Sequence, residues 1–121
     1  MWIITTRGFL SVVQNLKPTG PDDAILVRGR VRADLEQFAD FAARHGDRPA
    51  VASTPDADYA YRLTASRGIF AAYLAEQVDA LNYPNFKDEV AKADPRRARI
   101  YARVWEVLRD LHKLGAKETT R

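Results

Sequence analysis

Trp2-Ile3-Ile4-Thr5-Thr6-Arg7-Gly8-Phe9-Leu10-Ser11-Val12-Val13-Gln14 is the stretch from which the fold is read. Residues 2–6 and 9–14 are rich in β-branched and aromatic side chains. Arg7-Gly8 between them suits a two-residue hairpin turn, because glycine takes positive φ without steric cost. If Thr6 pairs with Phe9, then Trp2, Ile4, Phe9, Ser11 and Val13 share one face, and Ile3, Thr5, Leu10 and Val12 the other. Both faces are largely apolar. Such a hairpin is covered on both sides or meets another chain. The larger set, with its Trp and Phe, is the better candidate for a helix-packed core. Ile3, Leu10 and Val12 are then the candidate protein interface.

Working outward, residues 15–23 hold two prolines and a glycine and read as a loop. In residues 24–32, Ile25, Val27, Gly29 and Val31 alternate with Leu26, Arg28, Arg30 and Arg32, the pattern of a strand. Asp34 followed by Gln37 resembles a capping box, and Leu35, Phe38, Phe41 and Ala42 supply a helical stripe closed by His45-Gly46. Residues 47–57 are irregular, with Ala50-Val51-Ala52 able to form a short strand. Residues 58–65 read as a strand with Tyr59, Tyr61 and Leu63 on one side and Ala60, Arg62 and Thr64 on the other. Ser66 caps a helix reaching about Leu81, Asn82-Tyr83-Pro84 breaks it, and Asn85 caps a short helix through Ala93.

The last element opens with Asp94 as N-cap and Pro95 at the first helical position. Ile100, Tyr101, Val104, Val107, Leu108, Leu111 and Leu114 fall on one broad arc, opposite Arg99, Arg103, Glu106, Asp110 and Lys113. So wide a face makes this helix a main piece of the core or an element shared with a partner. The expectation is an α+β fold in a single domain over 1–121. An antiparallel sheet of about four strands, the hairpin plus two more, packs with two to three main helices, the last long and amphipathic. Residues 117–121 are expected to fray.

With 121 residues, 46% of them apolar, the chain has room for one core. It has no cysteine, so disulfides and thiolate chemistry are excluded. The N-terminal segment lacks the basic lead-in of a secretory signal, and no run approaches a membrane span. Cytoplasmic location, with no membrane partner, is expected. Net charge is +3, yet residues 95–121 hold eight Lys or Arg against three acids, so the basic character belongs to that segment.

The opening Met1-Trp2, Thr5, Gly8-Phe9 and Ser11-Val12-Val13, with Asp58-Tyr59-Ala60-Tyr61-Arg62, Tyr83-Pro84-Asn85-Phe86-Lys87 and Tyr101-Ala102-Arg103-Val104-Trp105, resembles a group of small uncharacterised proteins of high-GC bacteria and their phages. The resemblance covers most of the chain. It implies a compact domain and carries over no site.

No catalytic, cofactor or metal site is expected from the residues. His45 and His112 have Phe41 and Leu108 four positions back, not ligands. Asp22-Asp23 and Asp56 with Asp58 read as solvated loop acids, and the scattered glycines form no phosphate loop. Arg28, Arg30 and Arg62 on the same side of nearby strands are the candidate nucleic-acid contacts, with Arg96, Arg97, Arg99 and Arg103 as a basic flank. The leading expectation is a non-catalytic interaction domain that binds another protein or itself. A nucleic-acid-binding module is the alternative, and an enzyme ranks third.

Overall fold

The computed structural model describes residues 1–16 and 23–119, with side chains of the last helix described as far as residue 115. The loop read over 15–23 and the frayed tail therefore lie largely or partly outside the described residues. Where the sequence reads as one domain, the chain divides into two compact units, Met1–Asn82 and Tyr83–Arg121. The division falls at the Asn82-Tyr83-Pro84 break.

The first unit holds β1 (Trp2–Thr5), β2 (Gly8–Gln14), β3 (Ala24–Gly29), α1 (Arg32–Arg44), β4 (Ala52–Ser53), β5 (Tyr61–Ser66) and α2 (Arg67–Asp79). The strands form one antiparallel sheet in the order β1-β2-β3-β5-β4. The α+β class is as expected, with five strands rather than about four. The extra one is β4, whose two residues pair with Arg62 and Tyr61 at the sheet edge. Two residues are too few to leave an alternation pattern.

The hairpin turns at Thr6-Arg7, with Thr5 opposite Gly8, Ile4 opposite Phe9 and Trp2 opposite Ser11. This register is two residues from the expected one. A shift of two preserves side-chain parity, so each face holds the residues assigned to it. The covered face is the opposite one. Leu10 and Val12 are only 5% and 6% exposed, in a core with Ile25, Val27, Leu63 and Ala65 from the sheet. Leu35, Phe38, Phe41 and Ala42 of α1 and Phe70 and Tyr73 of α2 close over them, and Ile3 packs at the margin. Phe38 meets both Phe70 and Tyr73 edge-on with centroids 5.2 Å apart.

Leu10 and Val12 are thus core residues, with half-buried Ile3 packed against them, and not an interface. The reason lies in β3. Val12 pairs with Val27 and Ser11 with Arg28, so the face that buries Val27 must also bury Val12. Trp2, at 72% exposure, and Val13 are left on the outer side.

Asp34 and Gln37 do not form the expected capping box. The N-cap of α1 is Val31, which makes no side-chain cap bond, and the helix begins at Arg32. Asp34 therefore sits inside the first turn, only 3% exposed, where its Oδ2 accepts the N–H of Phe9 at 3.1 Å. Gln37 Nε2 donates to the Arg7 carbonyl at 3.0 Å. Both side chains fasten the helix start to the hairpin turn. Gly8, at φ +133, passes so close that a Cβ there would fall on the Asp34 carboxyl group. Ser66 caps α2 as expected, accepting the N–H of Ile69 at 3.2 Å.

The second unit holds α3 (Phe86–Ala93), α4 (Pro95–Leu108) and α5 (Leu111–Thr119). Asn85 and Asp94 cap α3 and α4 by accepting the N–H groups of Asp88 and Arg97, each at 3.0 Å. The same bond from Arg97 is the main cause holding the Asp94 carboxyl below the usual carboxylate range. α3 packs on α4 through buried Val90 and Tyr101, and the rings of Phe86 and Tyr101 stack at 5.9 Å. The expected single terminal helix is two. At the joint, Asp110 N–H bonds to the Val107 carbonyl and His112 N–H to that of Arg109, three residues back rather than four.

Candidate functional site

The outer face of the first unit's sheet gathers the first set of candidate residues. Register places Trp2, Ser11, Arg28, Arg62 and Ala52 in one row across all five strands. Adjacent members are about 4.8 Å apart, the ordinary strand spacing. Arg28 and Arg62 are therefore direct cross-strand neighbours on the same side, as the strand alternation predicts.

Each of the three arginines on this side is held by a neutral acceptor. Arg28 Nη2 donates to Ser11 Oγ at 2.8 Å, Arg30 Nε to the Asp58 carbonyl at 3.2 Å, and Arg62 Nε to Thr54 Oγ1 at 3.2 Å. Among the described residues no carboxylate lies within ion-pair distance of any of them. Arg32, by contrast, pairs with Glu36 at 2.8 Å and belongs to α1.

Tyr59 is not on the helix-packed side. β5 begins only at Tyr61, so strand alternation does not reach back to residue 59. Residues 54–60 loop over the outer face, tied by the Thr54 N–H to the Ala60 carbonyl at 2.7 Å and the Thr54 hydroxyl to the Tyr59 carbonyl at 2.8 Å. The Tyr59 ring is buried with the guanidinium groups of Arg28 and Arg30 at 4.7 and 5.0 Å from its centroid. Phe9 lies 6.3 Å from Tyr59, and exposed Trp2 meets Phe9 edge-on at 5.8 Å. A continuous row of Trp, Phe, Tyr and Arg results. Tyr61 takes the inner side and packs against the core, as expected.

Arg96, Arg97, Arg99 and Arg103 belong to the second unit and are described with it. Arg97 pairs with Asp94 at 3.7 Å and donates to the Tyr101 hydroxyl at 3.0 Å, so it serves the α3–α4 packing. Arg96, Arg99 and Arg103 are exposed. The apolar arc of the terminal helices is covered only along the Tyr101 side. Val107 is 68% and Leu108 52% exposed, and Ile100, Leu111 and Leu114 are similarly open. Leu108 is therefore a surface residue, not part of the core. Trp105 carries Lys87 Nζ over its ring at 4.5 Å and the Arg109 guanidinium at 5.3 Å.

One buried polar cluster left no sequence signal. The Tyr73 hydroxyl, Glu76 Oε2 and Gln77 Oε1 lie within one turn of α2, buried and without a protein hydrogen-bond partner. Burial pushes the Tyr73 hydroxyl up to about 12, with Arg7 opposing and Asp34 and Glu76 adding to the shift. Only the packing of α2 on α1, where Tyr73 meets Phe38 and Phe41, reveals it. His45 closes α1, its ring stacked on Phe41 at 4.1 Å and its Nδ1 3.0 Å from the Phe41 carbonyl. Among the described residues no three His, Cys, Asp or Glu gather as a metal site, and no helix is long and apolar enough to cross a membrane. Comparison with family models, with curated proteins and with solved structures finds no match.

Proposed function

We propose that the protein is a non-catalytic interaction domain that binds a helix of another protein along the face of α4 and α5. The observation that carries this is the open apolar stripe of Ile100, Val107, Leu108, Leu111 and Leu114, set on successive turns beside half-buried Val104. On α4, positions 100, 104 and 107 keep spacings of four and three, the pattern that seats one helix against another, and α5 carries the next pair at 111 and 114. Contiguous apolar surface of this kind marks an interaction site.

Arg96, Arg99 and Arg103 lie on the polar side of α4 next to the stripe, followed along the chain by Glu106 and Asp110. A second copy packed in parallel would bring the same cations against these arginines, whereas a partner helix with an acidic flank complements them. Sedimentation velocity of the chain alone and with Val107→Asp tests the choice. A monomer in both cases supports a heterologous partner, and a wild-type dimer that the substitution splits assigns the stripe to self-association. A monomer whose cooperative unfolding is abolished by the substitution assigns it to the chain's own core.

A further inference from the structure

We infer that the outer sheet face of the first unit is a binding site for single-stranded nucleic acid. It is separate from the helical face above and uses Arg28, Arg30 and Arg62 for phosphates and Trp2 for a base.

Like charges directly opposite each other across two strands destabilise a sheet, and opposite charges stabilise it. Here Arg28 faces Arg62 directly, and Arg30, just past the end of β3, meets the same Tyr59 ring as Arg28. Among the described residues all three bond to hydroxyl or carbonyl oxygens. The covering loop carries two acids, Asp56 and Asp58, and Asp58 contacts an arginine. The Asp58 Oδ1 accepts the N–H of Tyr59 at 3.0 Å, and its bond with Arg30 is through the main chain. Among the described residues, these three cations thus have no ion-pair partner. Arg30 is exposed, Arg28 and Arg62 are half-buried, and the Arg28 Nε is enclosed without a partner; guanidinium groups so held keep the fixed fork that phosphate oxygens fit.

The aromatic row gives the choice of polyanion. Trp2 stands at the open end, on the edge strand, 72% exposed and oriented by its edge-on packing with Phe9. From Trp2 to Arg62 the row spans three strand spacings, about 14 Å. An exposed indole beside fixed cations stacks on an unpaired base while the backbone runs along the arginines. A duplex keeps its bases stacked internally and offers the indole nothing.

Anisotropy of a fluorescein-labelled twelve-nucleotide oligothymidylate, titrated with the full chain at several salt concentrations, tests this. Wild type is expected to bind with an affinity that falls steeply with salt. Arg28→Ala with Arg62→Ala should flatten the log–log slope by roughly 0.7 for each phosphate no longer neutralised. Trp2→Ala should weaken binding about tenfold with the slope unchanged. If the double variant does not fold, Arg62→Lys serves, and should weaken binding while keeping the slope. No binding by wild type at low salt overturns the inference. So does binding that none of the variants changes, or equal affinity for a duplex or for heparin. None of these results bears on the helical face, whose residues are untouched.

Discussion

Arg28 on β3 and Arg62 on β5 are direct cross-strand partners, and no described carboxylate comes within ion-pair distance of either. The chain holds two guanidinium groups side by side where one acid would relieve them. Such a pair lowers stability, and Arg62→Glu converts it into a cross-strand ion pair. The substitution is expected to raise stability by about 0.2–1 kcal/mol while removing oligonucleotide binding. Chemical denaturation checks the first half. An unchanged or lower midpoint would show that the arginines do not repel in the folded chain.

Leu10 and Leu108 exchange the roles that their apolar surroundings in the sequence suggest. Leu10 is 5% exposed beneath α1 and Leu108 is 52% exposed on α4. Leu10→Ala is expected to cost about 2–5 kcal/mol, and Leu108→Ala no more than about 0.5 kcal/mol. Urea midpoints of the two variants beside wild type decide it. A large loss from Leu108→Ala would place that side chain in a core.

Gly8 lies against the Asp34 carboxylate with φ +133. Gly8→Ala adds a methyl group where no space exists and a backbone conformation that L residues avoid. A loss of roughly 2 kcal/mol or more is expected. Asp34→Ala in the same background opens the space. It should recover part of the loss while sacrificing the bond to the Phe9 N–H. If Gly8→Ala proves neutral, the hairpin turn is not held against α1 as described.

The raised pKa of Tyr73 has a defined consequence at alkaline pH. In the unfolded chain the phenol loses its proton near 10.0, and in the folded chain only near about 12. Its contribution to stability is therefore complete below pH 10 and is lost as pH rises toward 12. Thermal midpoints of wild type should fall across that interval, and those of Tyr73→Phe should fall less. Parallel curves would mean that Tyr73 titrates no differently folded than unfolded.

The local signals of the sequence carried the most structure. Ser66, Asn85 and Asp94-Pro95 start helices where they are read to, because a cap depends only on residues three positions apart. Strand parity was equally legible, and the joint placement of Arg28 and Arg62 follows from it. The buried side of the hairpin was not. The size of Trp2 and Phe9 argued for one face, whereas the decision belongs to β3, where one side is Ile25, Val27 and Gly29 and the other bears Arg28. Tyr59 was misplaced because alternation was carried past the start of β5. On the terminal helices the width of the apolar arc was readable. That α3 would cover only the side bearing Tyr101 was not, since it depends on how one short helix packs.

The most direct test of the proposed function titrates a labelled amphipathic peptide against the chain, its seam of leucines flanked by glutamates. The account requires saturable binding that weakens with added salt, because Arg96, Arg99 and Arg103 border the stripe. It also requires that Val107→Asp with Leu111→Asp abolish binding in a chain whose circular dichroism is unchanged. Absence of binding by wild type, or binding undiminished in that folded variant, would contradict the assignment of the α4–α5 face to a protein partner.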